Sequence, residues 1–236
     1  AGQDVREAVP DVLAALDDAG ALGGTERHTH DYPHCPRCDT DVLYAASEQW
    51  LVTVTDTREE LLDALETVDF HPASARDTRF RNLVESAPDW NVSRQRYWGT
   101  PLPVWVCADC GAETVVGSRA DLVARSDLEA APEDLHRTVV DDVVLDCPDC
   151  GGDAHRVEDV LDVWFDSAVA SWHSLDALPG EEPRPEGWPA ALVVEGQDQV
   201  RGWFLVQLYL GVLLADEVPY ERVLMHGFAL LDGEPM

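Results

Sequence analysis

The segment Asp198 to Ala215 is apolar on almost every side of a helical wheel, so a helix formed there must be covered all round. Just before it, Ala191 to Val194 reads as a short buried strand, and Glu195-Gly-Gln-Asp-Gln-Val-Arg-Gly-Trp-Phe204 joins the two. A buried strand running into an interior helix is the local unit of an α/β sheet. Glu195, Asp198, Gln199 and Arg201 lie at the join, where open α/β sheets bind ligands outside a strand's carboxyl end. A solvated loop in which Asp198 is an N-cap accounts for the same residues equally well.

Further on, Tyr220-Glu-Arg-Val-Leu-Met-His-Gly-Phe228 carries a second buried strand over 222–225. Strand, helix and strand make a βαβ unit, with a right-handed crossover expected. That unit brings His226 and Gly227 to the same sheet edge as Glu195. A lone His at a strand end is more often a core residue than a ligand contact. Two polar strand ends at one edge shift the balance towards a site.

The six cysteines fall into three Cys-x-x-Cys pairs, Cys35/Cys38, Cys107/Cys110 and Cys147/Cys150. Without a secretory signal, that pattern points to metal rather than disulfides. Gly111 and Gly151 follow the second and third pairs, as suits a sharp turn aiming backbone N–H groups at sulfur. Four thiolates from two such knuckles form a closed tetrahedral Zn²⁺ site of the zinc-ribbon kind. The gap between these knuckles exceeds the minimal ribbon spacing, so a helix starting near Ser118 must be accommodated inside, after a strand over 113–116. Cys35/Cys38 is half a site, its partners lying elsewhere.

Elsewhere the pattern predicts a helix over 4–18 and short strands over 42–46 and 49–54. A capping box at Thr57-Arg-Glu-Glu60 opens a helix to about Val68, and a further helix covers 78–86. Asp162 to Trp172 reads as helical, and Gly180 to Pro189 as a surface loop. Arg94, Arg96, Tyr97 and Trp98 offer ion pairing and stacking to a nucleotide, but a cluster bracing a loop explains them more simply.

The formal charge is −30, with 46 acidic residues against 16 basic ones, and every basic residue is Arg. Acidic residues spread along a chain with eight Trp and long apolar runs argue against disorder and fit a surface adapted to high salt. On that reading the acidity does not exclude a nucleic-acid partner. No run approaches the ~18 apolar residues of a membrane span. The sequence begins Ala-Gly-Gln-Asp and stops at Met236, and both ends are expected to be cuts in a longer chain.

Four stretches, taken together, resemble the isoleucyl members of the class I aminoacyl-tRNA synthetases. They are Trp90-x-Val-Ser-Arg-Gln-Arg-Tyr-Trp-Gly-Thr-Pro-Leu-Pro103, Asp162-Val-Trp-Phe-Asp-Ser167, Glu195-Gly-x-Asp-Gln-x-Arg-Gly-Trp-Phe204 and Val223-Leu-x-His-Gly-Phe228. Tyr32-Pro-His-Cys-x-Arg-Cys38 agrees as well. The motifs keep the family's order and spacing over nearly the whole chain.

The resemblance implies an α/β fold: part of a Rossmann-type catalytic core with an inserted zinc-ribbon-like module. Residues 1–31 would be the tail of an editing insertion and its linker, 32–104 a core segment, 105–157 the zinc insertion and 158–236 the second half of the core. Its chemistry would be ATP-dependent activation of L-isoleucine, with Mg²⁺ accompanying ATP, then transfer to tRNA(Ile). Glu195, Gly196 and Asp198 would contact the adenylate at its ribose, and Gln199 would orient the amino acid's polar end. Trp203 and Trp164 would wall the aliphatic pocket, and His226 with Gly227 would border the adenosine. Zn²⁺ would sit on Cys107, Cys110, Cys147 and Cys150, and a second site would use Cys35 and Cys38. No side chain is assigned as a catalytic nucleophile.

The signature His-Ile-Gly-His is absent, and only Met236 of Lys-Met-Ser-Lys-Ser is present, with Pro235 where Lys is usual. The piece alone is therefore expected to be inactive. The intact enzyme is expected to be cytoplasmic and monomeric. The alternatives are a valyl-tRNA synthetase fragment or a zinc-ribbon module that binds nucleic acid or protein.

Overall fold

The computed structural model describes residues 3–180 and 184–235. Met236 and the middle of the Gly180–Pro189 loop lie outside the described residues. The chain divides into two compact units, Ala1–Ser47 and Glu48–Met236.

In the first unit a helix spans Val5–Asp18, as its apolar spacing predicts, and the Asp4 side chain accepts the Arg6 N–H at 2.8 Å. Its apolar stripe, Val5, Val9, Val12 and Leu16, is exposed. The Cys35/Cys38 knuckle is closed by the Cys35 N–H donating to Thr40 O and the Asp39 N–H to Cys35 O, each at 2.8 Å. The strand expected over 42–46 does not form. The isolated bridge His34–Asp41 ends just before it, and beyond the Val42 N–H donating to Pro33 O at 2.9 Å the segment has no ladder to hold it.

The second unit is built on a three-stranded parallel sheet. Arg222–His226 is central, flanked by Val193–Gly196 and Asp69–His71. Register sets Val193, Val223 and Phe70 side by side, and all three are buried in one core with Leu61, Leu65, Phe204 and Leu208. The next row turns the other way: Val194 is 47% and Leu224 39% exposed. Parallel sheets are normally covered on both faces. This one is covered on one.

Trp203–Ala215 forms the crossover helix, and its all-round apolarity has a direct cause. Phe204, Leu208, Tyr209 and Val212 pack towards the sheet, while Val206 and Leu210 join a second core with Ala168 and Trp172. Gly211 is required by close approach: a Cβ there would lie 2.4 Å from Glu217 O. The helix starts later than its apolar run predicts. Gln197–Arg201 is a separate 3₁₀ turn, and Gly202, in a non-helical conformation, divides it from the helix.

Other boundaries shift similarly. The helix at 57–68 is Arg58–Glu66, and Thr57 makes no capping bond; its hydroxyl donates to Val54 O instead. The helix expected over 78–86 begins as a π-helical turn, Ala75–Phe80, and continues as Arg81–Ser86. The strand at 49–54 shortens to Leu51–Val52, paired with Trp90–Asn91. The helical stretch at 162–172 is Val163–Ala168 followed by Ala170–His173.

Val104–Arg156 makes an antiparallel sheet in the order Glu113–Val115, Val104–Cys107, Asp153–Arg156, Leu145–Asp146. Helices Arg119–Ala124, capped by Ser118, and Arg137–Val140 lie between the two knuckles. Trp105, Leu122, Val140, Val143 and Leu145 form its own core. Immediately outside, Ser93–Arg94 pairs antiparallel with Val160–Leu161, so the module leaves and rejoins the chain at adjacent strands.

Candidate adenylate edge and four-cysteine centre

The parallel register puts Gly196 directly opposite His226, so Glu195, Gly196, His226 and Gly227 share the carboxyl edge of two neighbouring strands. Asp198 bends back over this edge. A Cβ on Gly196 would lie 2.5 Å from Asp198 Oδ1 and 3.6 Å from the His226 ring, so only glycine leaves room for this arrangement. His226 is exposed, and its Nδ1 lies 2.6 Å from Gly227 O. Glu195 is exposed as well.

Gln199 is fixed from both ends of its amide. Its Oε1 accepts the Trp203 N–H at 2.9 Å, satisfying a free donor of the helix start, and its Nε2 donates to Asp198 Oδ2 at 2.8 Å. The cap expected of Asp198 is thus supplied by its neighbour. Trp164 reaches the same corner: a Cβ on Gly202 would meet its ring at 2.9 Å and Gln199 Oε1 at 2.7 Å. Trp203 is anchored by its indole N–H donating to Ser167 O at 2.9 Å. It lines a cavity of about 410 Å³ with Ser171, Leu175, Trp188 and Leu192, to which Trp164 does not contribute.

Asp162, quoted only as part of a motif, is a buried hub. Its carboxylate accepts from Trp90 Nε1 at 3.2 Å and from Arg94 at 2.8 Å, and it caps the helix bearing Trp164. Arg94 also donates to Asn91 O and Ser93 O, which makes it a brace. Trp98 stacks on His136 with centroids 4.2 Å apart, and Arg137 covers the Tyr97 ring at 5.6 Å. Arg79 carries no local sequence signal. It donates to Gln197 Oε1 at 3.0 Å across 118 residues, a juxtaposition only the tertiary fold creates.

The sulfur atoms of Cys107, Cys110, Cys147 and Cys150 lie within 4.8 Å of one another. Cys107–Cys150 is 3.5 Å and Cys110–Cys147 3.6 Å. A tetrahedron of ~2.3 Å metal–sulfur bonds has edges of about 3.8 Å, so the spacing suits four ligands around one ion; a disulfide needs ~2.05 Å. Gly111 and Gly151 take φ of 74° and 73°, the left-handed turn foreseen for them. The backbone N–H groups of Cys110 and Asp109 hold the Cys107 thiol down at about 7. The Gly152 N–H favours the Cys150 thiolate, yet sharing protons with Cys107, Cys110 and Cys147 pushes that thiol up to about 12. Four crowded thiols resist ionising together unless a cation neutralises them. Cys35 and Cys38 belong to no group of three or more metal-ligating side chains among the described residues. The Cys38 thiol, 3.3 Å from Thr40 Oγ1, is lowered chiefly by that hydrogen bond.

Residues 5–235 match the family described as tRNA synthetases class I (I, L, M and V). The chain belongs to the class I tRNA synthetases. Its relatives include the isoleucine–tRNA ligase of Methanosarcina barkeri, 48% identical over 99% of this chain and 22% of that protein. That of Halobacterium salinarum is 46% identical over 100% of this chain and 22% of its own length. The chain therefore spans about a fifth of the length of these curated relatives. Among solved structures, the LeuRS–tRNA–LeuAMS complex of Agrobacterium radiobacter K84 shares 23% identity over 70% of this chain and 24% of that one, at a TM-score of 0.43. No helix among the described residues is long and apolar enough to cross a membrane.

Proposed function

We propose that this chain works as part of an isoleucine–tRNA ligase, contributing the nucleotide and amino-acid edge of its catalytic core. The observation that carries the reading is the pairing of Gly196 with His226 at the carboxyl ends of adjacent parallel strands, within a chain whose curated relatives at 46–48% identity are isoleucine–tRNA ligases. In the first step the isoleucine carboxylate attacks the α-phosphorus of ATP and pyrophosphate leaves, with Mg²⁺ accompanying the nucleotide. In the second, a hydroxyl of the terminal tRNA ribose attacks the acyl carbonyl and AMP leaves. Neither step needs a protein nucleophile, since positioning and charge stabilisation suffice.

Glu195, Gly196 and Asp198 serve the adenylate, with carboxylates suited to accept ribose hydroxyls. His226 and Gly227 border the adenosine. Gln199, already rigid, presents its amide to the amino acid's polar end, while Trp164 against Gly202 and Trp203 in the neighbouring cavity supply apolar surface for the side chain. Such a surface separates isoleucine from valine weakly, because one methylene is worth only about 1–3 kcal/mol; this enzyme class is itself the source of that figure.

Cys107, Cys110, Cys147 and Cys150 hold a structural Zn²⁺, which ties the two knuckles together when bound. Cys35 and Cys38 supply half of a second site. The acidic composition fits work at high salt, and the intact enzyme is taken to be cytoplasmic and monomeric on its resemblance to the family alone.

The test is isoleucine-dependent ATP–pyrophosphate exchange by the full-length polypeptide that contains this chain. Exchange with isoleucine, abolished or strongly reduced by Glu195→Gln, is the expected result. Exchange that responds to another amino acid and not to isoleucine sinks the reading.

A further inference from the structure

A cavity of about 610 Å³ lies where the segments following the two outer strands of the parallel sheet meet. Arg79, Asn82 and Ser86 line it from the helical segment after Asp69–His71. Gln197, Asp198 and Arg201 line it from the turn after Val193–Gly196, with Leu83 and Val200 completing its wall. Its volume is that of a nucleotide-sized ligand site.

The charge here runs against the net charge of the chain. The chain carries −30, and many of its arginines, such as Arg76, Arg81, Arg94, Arg125 and Arg156, stand against carboxylates, while Arg58, Arg119 and Arg222 are taken up by backbone carbonyls. Arg79 instead donates to the neutral amide oxygen of Gln197, and the Arg201 side chain has no hydrogen bond or ion pair among the described residues. Two guanidinium groups with uncompensated charge thus face one cavity. The carboxylate in its lining, Asp198, is engaged by Gln199 and leans over Gly196 towards the strand ends. Asp198 therefore marks a border, with the strand-end site on one side and the arginine-lined cavity on the other.

We infer that this cavity holds a backbone phosphate of the tRNA 3′ strand, gripped by Arg79 and Arg201. The inference rests on the ligase reading and assigns residues to its second step. For acyl transfer the terminal ribose must come against the adenylate, so the phosphodiester carrying that ribose lies close to Asp198. Guanidinium groups suit a phosphate through paired N–H donors and permanent charge. The exposure of Arg79, Asn82, Ser86 and Arg201 leaves the cavity open for a strand to enter and leave.

The experiment uses the full-length polypeptide with Arg79→Gln, Arg201→Gln, the double variant, and the matching Lys substitutions. Pyrophosphate exchange and tRNA aminoacylation are measured across a range of salt. The double Gln variant is expected to raise KM for tRNA by about ten-fold, against less than two-fold for ATP, and to flatten the log–log salt slope by about one to two. The Lys variants, which keep the charge, should recover much of that slope. As a measurement on the unaltered enzyme, tRNA should protect Arg79 and Arg201 from phenylglyoxal, whereas ATP with isoleucine should not.

An unchanged KM for tRNA and an unchanged salt slope overturn the inference. So does a KM for ATP that rises as much as that for tRNA, or protection by ATP alone, either of which assigns the cavity to the nucleotide's own phosphates. Absence of isoleucine-dependent exchange in the unaltered enzyme defeats the ligase reading itself. Normal exchange with indifferent arginine variants defeats only the phosphate cavity.

Discussion

The four-cysteine module and the parallel sheet solve the problem of holding functional groups in opposite ways. In the module, the donor set, the surrounding sheet and the core around Trp105 and Leu145 all come from one segment of about 50 residues, and the site is closed on itself. The sheet gathers strands from positions 69, 193 and 222, and leaves its carboxyl edge and one apolar face open. A closed centre is suited to holding shape. An open edge is suited to admitting ligands, and its geometry depends on covering from one side.

With Zn²⁺ on the four cysteines as proposed, the largest expected effect comes from removing it. Chelation, or Cys147→Ser, should unfold the module, because structural zinc contributes on the order of 10 kcal/mol of coupled binding and folding. Amide exchange should rise sharply across 104–157 and little across 193–226; uniform change in both would abolish the distinction between the two regions. The same centre sets a pH dependence. Metal requires thiolates, so bound metal keeps these thiols deprotonated below their metal-free range, and its stabilisation is lost as pH falls. With Cys107 near 7 and Cys150 near 12 before metal binds, retention should rise with pH and fail progressively on the acid side. A zinc titration at several pH values measures this directly.

Next in size is Asp141→Ala. The Arg156 side chain is fully buried, donates from Nε to Asp141 Oδ1 at 2.6 Å, and braces Leu102 O and Asp159 O. Burial lowers its pKa, but an arginine stays charged, so removing Asp141 strands a buried cation at a cost of about 3–5 kcal/mol. A chemical denaturation midpoint that does not move would show that the pair is dispensable.

Gly211→Ala tests the sheet side. The added methyl meets the Glu217 carbonyl, a backbone atom, and should cost about 1–3 kcal/mol by forcing the crossover helix from its loop. The smallest and sharpest contrast is between neighbours on one strand. Val223→Ala should cost ~2 kcal/mol, whereas Leu224→Ser on the open face should stay within about 0.5 kcal/mol in this chain. Equal losses would mean that the second face is covered.

The same contrast explains what the amino-acid sequence revealed. Knuckles and their glycines are local, and the turns at Gly111 and Gly151 are readable from spacing, whereas the left-handed Asp39 after the first knuckle is not. The strand–helix–strand unit was readable because the apolar pattern of 198–215 admits only an enclosed helix. Its true start was not, since Gly202 interrupts the helix to make room for the Trp164 ring, which arrives from 38 positions earlier. Thr57 and Asp198 carried the chemistry of caps, but Thr57 turns to Val54 O and the capping of Trp203 passes to Gln199. The residues 42–46 have strand composition but no strand pairs with them among the described residues. Arg79 beside Gln197, and Asp162 beneath Trp90 and Arg94, depend on long-range packing that leaves no periodic trace.

The antiparallel pairing of Ser93–Arg94 with Val160–Leu161 has an evolutionary consequence. Because the cysteine module departs and returns through adjacent strands, the distance it must span is that of an ordinary hairpin, whatever its own length. Closing such a loop costs little more entropy as it grows, roughly 0.6 kcal/mol per doubling. A cassette can therefore be gained, enlarged or trimmed at this stem without moving the residues on either side, so the module and the ligand edge are free to change at different rates.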